Sequence, residues 1–209
     1  MKTCGIMVLF VGVVMKDSNI CLCHNDGKYP TILDGVRVKP YLLWVAMLQR
    51  CYGEAYKTSK PTYSDCTMSA NFLNYSYFYE WCQNQTGFGK ENWQLDKDIL
   101  IRGNKTYHED VCVFVPSDVN IFFTNRKNNR GDYPVGVNFH KKTGKYAASC
   151  SVSNGKRKHL GLFLTPHDAF LAYKPFKEAL CKELALKWKS EIDNRVFDAM
   201  MIWEVSITS

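Results

Sequence analysis

The chain has 209 residues, 46% hydrophobic and 22% charged, which suits a folded globular protein with one ample domain or two small ones. Its net charge is +7, yet residues 126–160 alone hold nine Lys/Arg against Asp132, so that block nets +8 and the remainder −1. Nine cysteines, an odd number scattered from Cys4 to Cys181, speak against a disulfide framework and for reduced thiols in a cytosolic compartment.

Residues 1–40 read as a strand-rich N-terminal segment. Lys2 and the apolar run over residues 5–14 have the outline of a short signal peptide. The run is too short to span a bilayer, and no small-x-small cleavage site follows it. A buried β-strand accounts for the same residues, with Ile6, Val8, Phe10, Val13 and Val14 as its β-branched and aromatic bulk. No other segment could span a membrane. Cys21-Leu-Cys23-His24 could form half of a zinc site, but Cys51, Cys66 and Cys82 stand alone, which speaks against zinc.

An amphipathic helix is predicted over residues 41–52 after Pro40, with Trp44, Met47, Leu48 and Cys51 at helical spacing as its core face. A second is predicted over residues 72–82, where Phe72, Tyr75, Tyr79 and Cys82 share one side and Phe78 and Trp81 lie alongside. Such aromatics can stack on bases, but this spacing is that of core packing. The residues between the two helices read as loop.

Residues 93–125 suggest strand, turn, strand, helix. Leu95, Ile99 and Ile101 surround two carboxylates, Asp96 and Asp98, and Gly103-Asn104 makes a turn. Residues 111–115 form a short apolar strand, and Ser117 can cap a short helix that holds Asn120. This layout sets a strand-end Asp opposite a helix Asn, ligands able to hold one divalent ion against a scissile phosphate. Any small ββα unit could also carry such a pair by chance.

The stretch from residue 41 to residue 125 resembles the HNH-endonuclease-related proteins of bacteriophages. The residues that carry the resemblance are Trp44, Met47, Arg50-Cys51-Tyr52, Leu95-Asp96-Lys97-Asp98, Gly103-Asn104, Tyr107, Cys112 and Asn120. It implies a ββα-metal-like module in which Asp96 and Asn120 bind Mg²⁺ or another divalent cation. It also implies that Asn104, the middle residue, orients the general base or positions a water or phosphate oxygen. Lys97 stands where the family has the His that takes a proton from the attacking water. An ordinary lysine is protonated at neutral pH and cannot do this. It can stabilise transition-state charge, which leaves His108 downstream as the candidate base.

Three short strands are predicted near residues 136–140, 145–152 and 158–163, separated by Lys-Thr-Gly and Ser-Asn-Gly turns. Thr165 caps the helix that follows, with Pro166 at its first position and Asp168 three residues after the cap. Ala169, Ala172, Tyr173, Phe176, Leu180, Leu184 and Trp188 form its sheet-facing stripe, and Pro175 should kink it. Alternation then places Lys, Arg, His and Tyr on the open face, where a three-stranded sheet can enter a major groove. A basic block can be merely a solvated face. It also favours a polyanion, because each cation near a phosphate releases counterions. The candidate DNA contacts are Arg126, Lys127, Arg130, His140, Lys141, Lys142, Lys145, Tyr146, Lys156, Arg157, Lys158 and His159. Gly136-Val137, Lys145-Tyr146-Ala147-Ala148, Leu160-Gly161-Leu162-Phe163 and the run from Thr165 to Tyr173 resemble the APETALA/ethylene-response-factor type of DNA-binding domain. Phage homing endonucleases often carry that module after an HNH domain. The C-terminal residues look like a helix and a short strand.

The expectation is therefore an α+β chain. It has an N-terminal segment (1–40), an HNH-like ββα module with flanking helices (41–130), a three-stranded antiparallel sheet packed on one helix (131–190) and an extension (191–209). The expected activity is metal-dependent cleavage of double-stranded DNA by an HNH-like homing endonuclease, in the cytoplasm of a bacterial host cell and away from membranes. The alternative is a catalytically degenerate DNA-binding protein that regulates or inhibits host defence. A third reading makes the basic sheet a contact for an acidic protein partner, and charge alone leaves RNA open.

Overall fold

The computed structural model describes residues 23–124, 132–152 and 156–207. The strand expected over residues 6–14, Cys21, the cations Arg126, Lys127 and Arg130, and the Ser153-Asn154-Gly155 turn lie outside the described residues. The chain is mixed α+β, with six α-helices and several small sheets among those residues. Contacts divide it into two compact units, Met1–Val115 and Pro116–Ser209. No helix among the described residues is long and apolar enough to cross a membrane.

The first unit opens with a hairpin of β1 (Ile32–Leu33) and β2 (Val36–Arg37). Asp34 and Gly35 join them, both at positive φ, as a two-residue primed turn requires. Helix α1 (Lys39–Tyr52) follows, with Pro40 in its first turn, where a missing N–H costs nothing. It buries Trp44, Met47, Leu48 and Cys51, the face expected from spacing. The stretch read as loop holds α2 (Glu54–Ser59), a 3-10 turn at Pro61–Tyr63 and the short strand β3 (Thr67–Met68). Elements this short have too few residues for periodicity to register.

Helix α3 (Tyr75–Gln83) starts three residues later than expected. The Asn74 side chain accepts a hydrogen bond from Tyr77 N–H at 3.1 Å, an N-cap that fixes the start. Phe72, left before the helix, is fully buried, and its carbonyl accepts the Trp44 indole N–H at 2.8 Å. Phe72, Tyr75, Phe78 and Trp44 pack as aromatic pairs with centroids 5.1 to 5.4 Å apart for Phe72–Phe78 and Trp44–Tyr75. Strand β4 (Trp93–Asp96) pairs with β6 (Val113–Pro116), while β5 (Thr106–Tyr107) pairs in parallel with β3. Cys112, Val113, Phe114 and Val115 are all buried, which is why the run is continuously apolar rather than alternating.

The second unit begins with α4 (Ser117–Phe123). Ser117 does not cap it; Pro116 occupies the cap position with no side-chain bond, and Ser117 is the first helical residue. The sheet has the order β7 (Val137–His140), β8 (Lys145–Ser151), β9 (Arg157–Phe163), all antiparallel. Helix α5 (Pro166–Trp188) covers one face of it. Thr165 Oγ1 accepts from Asp168 N–H at 3.1 Å and donates to the Asp168 carboxylate at 2.7 Å, the cap expected from sequence.

Pro175 does not end α5. The proline has no N–H for the carbonyl four residues back, at Leu171, a residue that is 52% exposed. Val137, Ala148, Cys150, Ala169, Phe170 and Tyr173 form the core, and Val205 completes it from beyond α6 (Asn194–Met201). The expected terminal helix is present; among the described residues the expected short strand is not. Instead Glu178 accepts from Val205 N–H at 2.9 Å and Lys174 donates to Val205 O at 3.3 Å, binding the C-terminal segment to α5. Val205 and, partly buried beside it, Trp203 thus pack with the core of the second unit.

Candidate functional site

Asp96 ends β4, and its Oδ1 accepts from Asp98 N–H (2.7 Å) and Ile99 N–H (2.8 Å), closing an Asx turn. Burial pushes its carboxyl above the ordinary value of 3.8; those two donors and the Lys97 charge oppose the rise, while Asp98 adds to it. Both bonds fall on Oδ1, so Oδ2 is the atom with capacity left for a cation.

Lys97, the residue at the general-base position, is buried. Its Nζ donates to Asp98 Oδ1 at 2.6 Å and to Asn104 O at 2.7 Å, and lies 5.8 Å from the centre of the Tyr107 ring. Asn104 closes the same loop from the other side. Its Nδ2 donates to Lys97 O and Thr106 O, each at 2.7 Å, and its Oδ1 accepts from Thr106 N–H at 3.0 Å. These bonds hold the Lys97 backbone in place, and they leave the amide committed to the chain rather than to a water or phosphate. Gly103, at φ +76°, makes the reversal just before it.

His108 follows β5 with its side chain 40% exposed. Its Nδ1 accepts from Asp110 N–H at 3.2 Å, and the Glu109 and Asp110 carboxylates lie 3.7 and 3.5 Å from the same atom. Its polar partners are thus its own neighbours, and with Nδ1 accepting, a neutral ring carries its hydrogen on Nε2. Glu109 is in turn held by Ser69 Oγ at 2.7 Å and by the Asn71 amide.

Arg50 had no assigned role in the sequence. Its guanidinium donates to the Tyr107 hydroxyl at 3.2 Å, tying α1 to β5 beneath the Lys97 ammonium. The signal was present, since Arg50 and Tyr107 both stand in the motif that carries the nuclease resemblance. Lys105 adds a second tie, reaching Asp65 at 3.1 Å and Thr62 O at 3.0 Å.

Among the described residues, no group of three or more His, Cys, Asp or Glu side chains is gathered to hold a metal ion. Mg²⁺ needs less, because it takes one or two carboxylates and completes its shell with water and phosphate. Asp96 Oδ2 suits that demand as one ligand. Asn120 lies in α4 and so belongs to the second unit, whereas Asp96 belongs to the first.

The second unit carries the basic surface. Ala148 and Cys150 are buried under α5, so the residues between them, with their cross-strand partners, form the open face. His140 pairs with Lys145, Asn138 with Ala147, Ala147 with Leu162, Ser149 with His159, and Ser151 with Arg157. His140, Lys145, Arg157 and His159 are therefore on the expected face and exposed. Lys141 and Lys142 are exposed in the β7–β8 turn, and Lys156 is exposed just before β9.

Two of the candidate contacts lie on the other side of the sheet. Tyr146 shares the face of Ala148 and packs with Tyr133 and Phe139, ring centres 5.2 and 5.4 Å away. Lys158 pairs with Cys150, and its Nζ lies 4.7 Å over the Phe176 ring of α5. Tyr146 lies two residues from Ala148 and shares its face by alternation; for Lys158 the cause is a bulge after Ala148, where Gly161 pairs with Ala148 and His159 with Ser149, so Leu160 is skipped and the parity of β9 changes. Compared with known proteins, the chain matches no family model, no curated protein and no solved structure.

Proposed function

We propose that the protein is a phage-type DNA-binding protein that grips duplex DNA through the open face of the β7–β8–β9 sheet. The observation that carries this is the collection of His140, Lys145, Arg157 and His159 on one sheet face, with Lys141, Lys142 and Lys156 at its ends, while α5 covers the other. Four such groups on one face, with three exposed lysines at its ends, favour a polyanion over bulk solvent. A duplex is favoured over a single strand because Phe139 and Tyr146 pack on the α5 side, which leaves the open face without an aromatic platform for unstacked bases.

In this reading the first unit is an HNH-like scaffold whose general-base position has been given to a structural lysine. The function is then regulation, or inhibition of host defence, by binding in the host cytoplasm. A second reading, metal-dependent HNH-like endonuclease, is favoured by one observation: Asn104 bonds the carbonyl of Lys97, the residue at the general-base position, as the middle Asn of such a motif would. Asp96 Oδ2 would hold Mg²⁺ or a similar cation, which when bound supplies a polarised phosphate oxygen and an acidified water. His108 would serve as the base in the tautomer whose Nδ1–H faces the Glu109 and Asp110 carboxylates, which leaves Nε2 unprotonated.

The test combines binding and cutting. Replacing Lys141, Lys142, Lys145 and Arg157 by Ala should flatten the log–log salt dependence of DNA binding by about 0.9 for each lost phosphate contact. Lys158→Ala should leave the slope unchanged. A slope indifferent to the fourfold variant refutes the interface. Cutting in Mg²⁺ or Mn²⁺ that Asp96→Ala abolishes selects the endonuclease, whereas binding without cutting in any metal selects the disarmed binder.

A further inference from the structure

We infer that the middle row of the open face, Asn138, Ala147 and Leu162, reads A·T base pairs, an inference that rests on the duplex-DNA reading above. The register sets these three side by side across the sheet. Ala148 beside them is buried under α5, so this row points the opposite way. Asn138 is exposed, and Leu162 is 39% exposed on a face whose other paired residues, Ala147 apart, are polar or charged.

The order of the rows matters. His140 and Lys145 lie on one side of the Ala147 row; Ser149 with His159, then Ser151 with Arg157, lie on the other. At about 3.3 Å per residue, the Lys145 and Ser151 rows are about 20 Å apart, enough to reach both banks of a groove about 12 Å wide. The cations then meet phosphates while the row between them faces base edges.

The chemistry of that row selects one base pair. Guanine is read through O6 and N7 by Arg or Lys, and no cation stands in this row. An asparagine amide matches N6 and N7 of adenine, and an aliphatic side chain matches the C5-methyl group of thymine. Ala147, small and central, lets the edge of the pair approach the sheet. A leucine exposed among cations has no role in holding phosphate, but against a thymine methyl it becomes buried.

The experiment uses the full chain and random-sequence duplex pools made with thymine or with uracil, which differ only in the methyl group. The thymine pool should bind about fourfold tighter for each methyl buried. Leu162→Ser should erase that difference and keep the salt slope. Asn138→Ala should keep the methyl preference but reduce adenine enrichment in sequences selected from the thymine pool, by about fivefold or more. Both side chains are on the surface, and a melting curve confirms that each variant is folded. Equal affinity for the two pools, or a preference that survives Leu162→Ser, overturns the inference and leaves the DNA reading standing. Absence of salt-dependent binding to either pool overturns the DNA reading and the inference with it.

Discussion

Lys97→Ala separates a structural lysine from a catalytic one. The substitution removes two hydrogen bonds from a charged donor, to Asp98 Oδ1 and Asn104 O, and a side chain that is only 8% exposed. Bonds from charged groups contribute about 1.5–3 kcal/mol each. Asp98 is 52% exposed and regains water, so its bond counts at the lower end. The Asn104 carbonyl loses a donor in a part-buried place, and the lost methylenes add about 0.8 kcal/mol each. The expected loss is about 5–7 kcal/mol for Lys97→Ala, and about 3–4.5 kcal/mol for Lys97→Met, which keeps the aliphatic stem. At about 3 °C per kcal/mol these become falls in melting temperature of about 18 °C and about 11 °C. Tryptophan fluorescence and circular dichroism on heating would report them. An alanine variant that melts within about 2 °C of wild type would mean the ammonium faces solvent, and the disarmed-scaffold reading would lose its basis.

Two other perturbations test the two units separately. Gly136→Ala forces an alanine to φ +79° with its Cβ 2.1 Å from Tyr173 Cδ2, so the second unit should lose about 2–5 kcal/mol; an unchanged urea midpoint would mean the Gly136–Tyr173 packing is wrong. Burial holds the Asp96 carboxyl above 3.8, and a raised folded-state value costs stability as pH rises through it and nothing below the unfolded value. Asp96→Asn keeps the acceptor for Asp98 and Ile99, so it should melt above wild type at pH 8 and converge with it in acid; a gap independent of pH would contradict the burial of this charge.

Much of the architecture was legible because it depends on near neighbours in the chain. Helical spacing placed Trp44, Met47, Leu48 and Cys51 on one buried face of α1. Thr165, Pro166 and Asp168 announced the start of α5, and the three strands before it were bracketed by turn residues. A cap or a periodic stripe is decided within one or two turns of backbone, so the sequence by itself carries it.

The candidate site depended on partners far apart in the chain. Nothing local says that the Lys97 ammonium turns inward to meet Asn104 O seven residues on, above a Tyr107 that Arg50 holds from α1. Nothing local says that β9 skips Leu160 against β8 and sends Lys158 to the α5 side. Nor does composition reveal that Val205 closes the core of the sheet. Sequence alone determined which residue types were present and the period at which they recur. Only the tertiary structure decided which of them face each other, because a buried charge must find its partner wherever the fold has brought one, and a single bulge reverses the side on which every later residue of a strand appears.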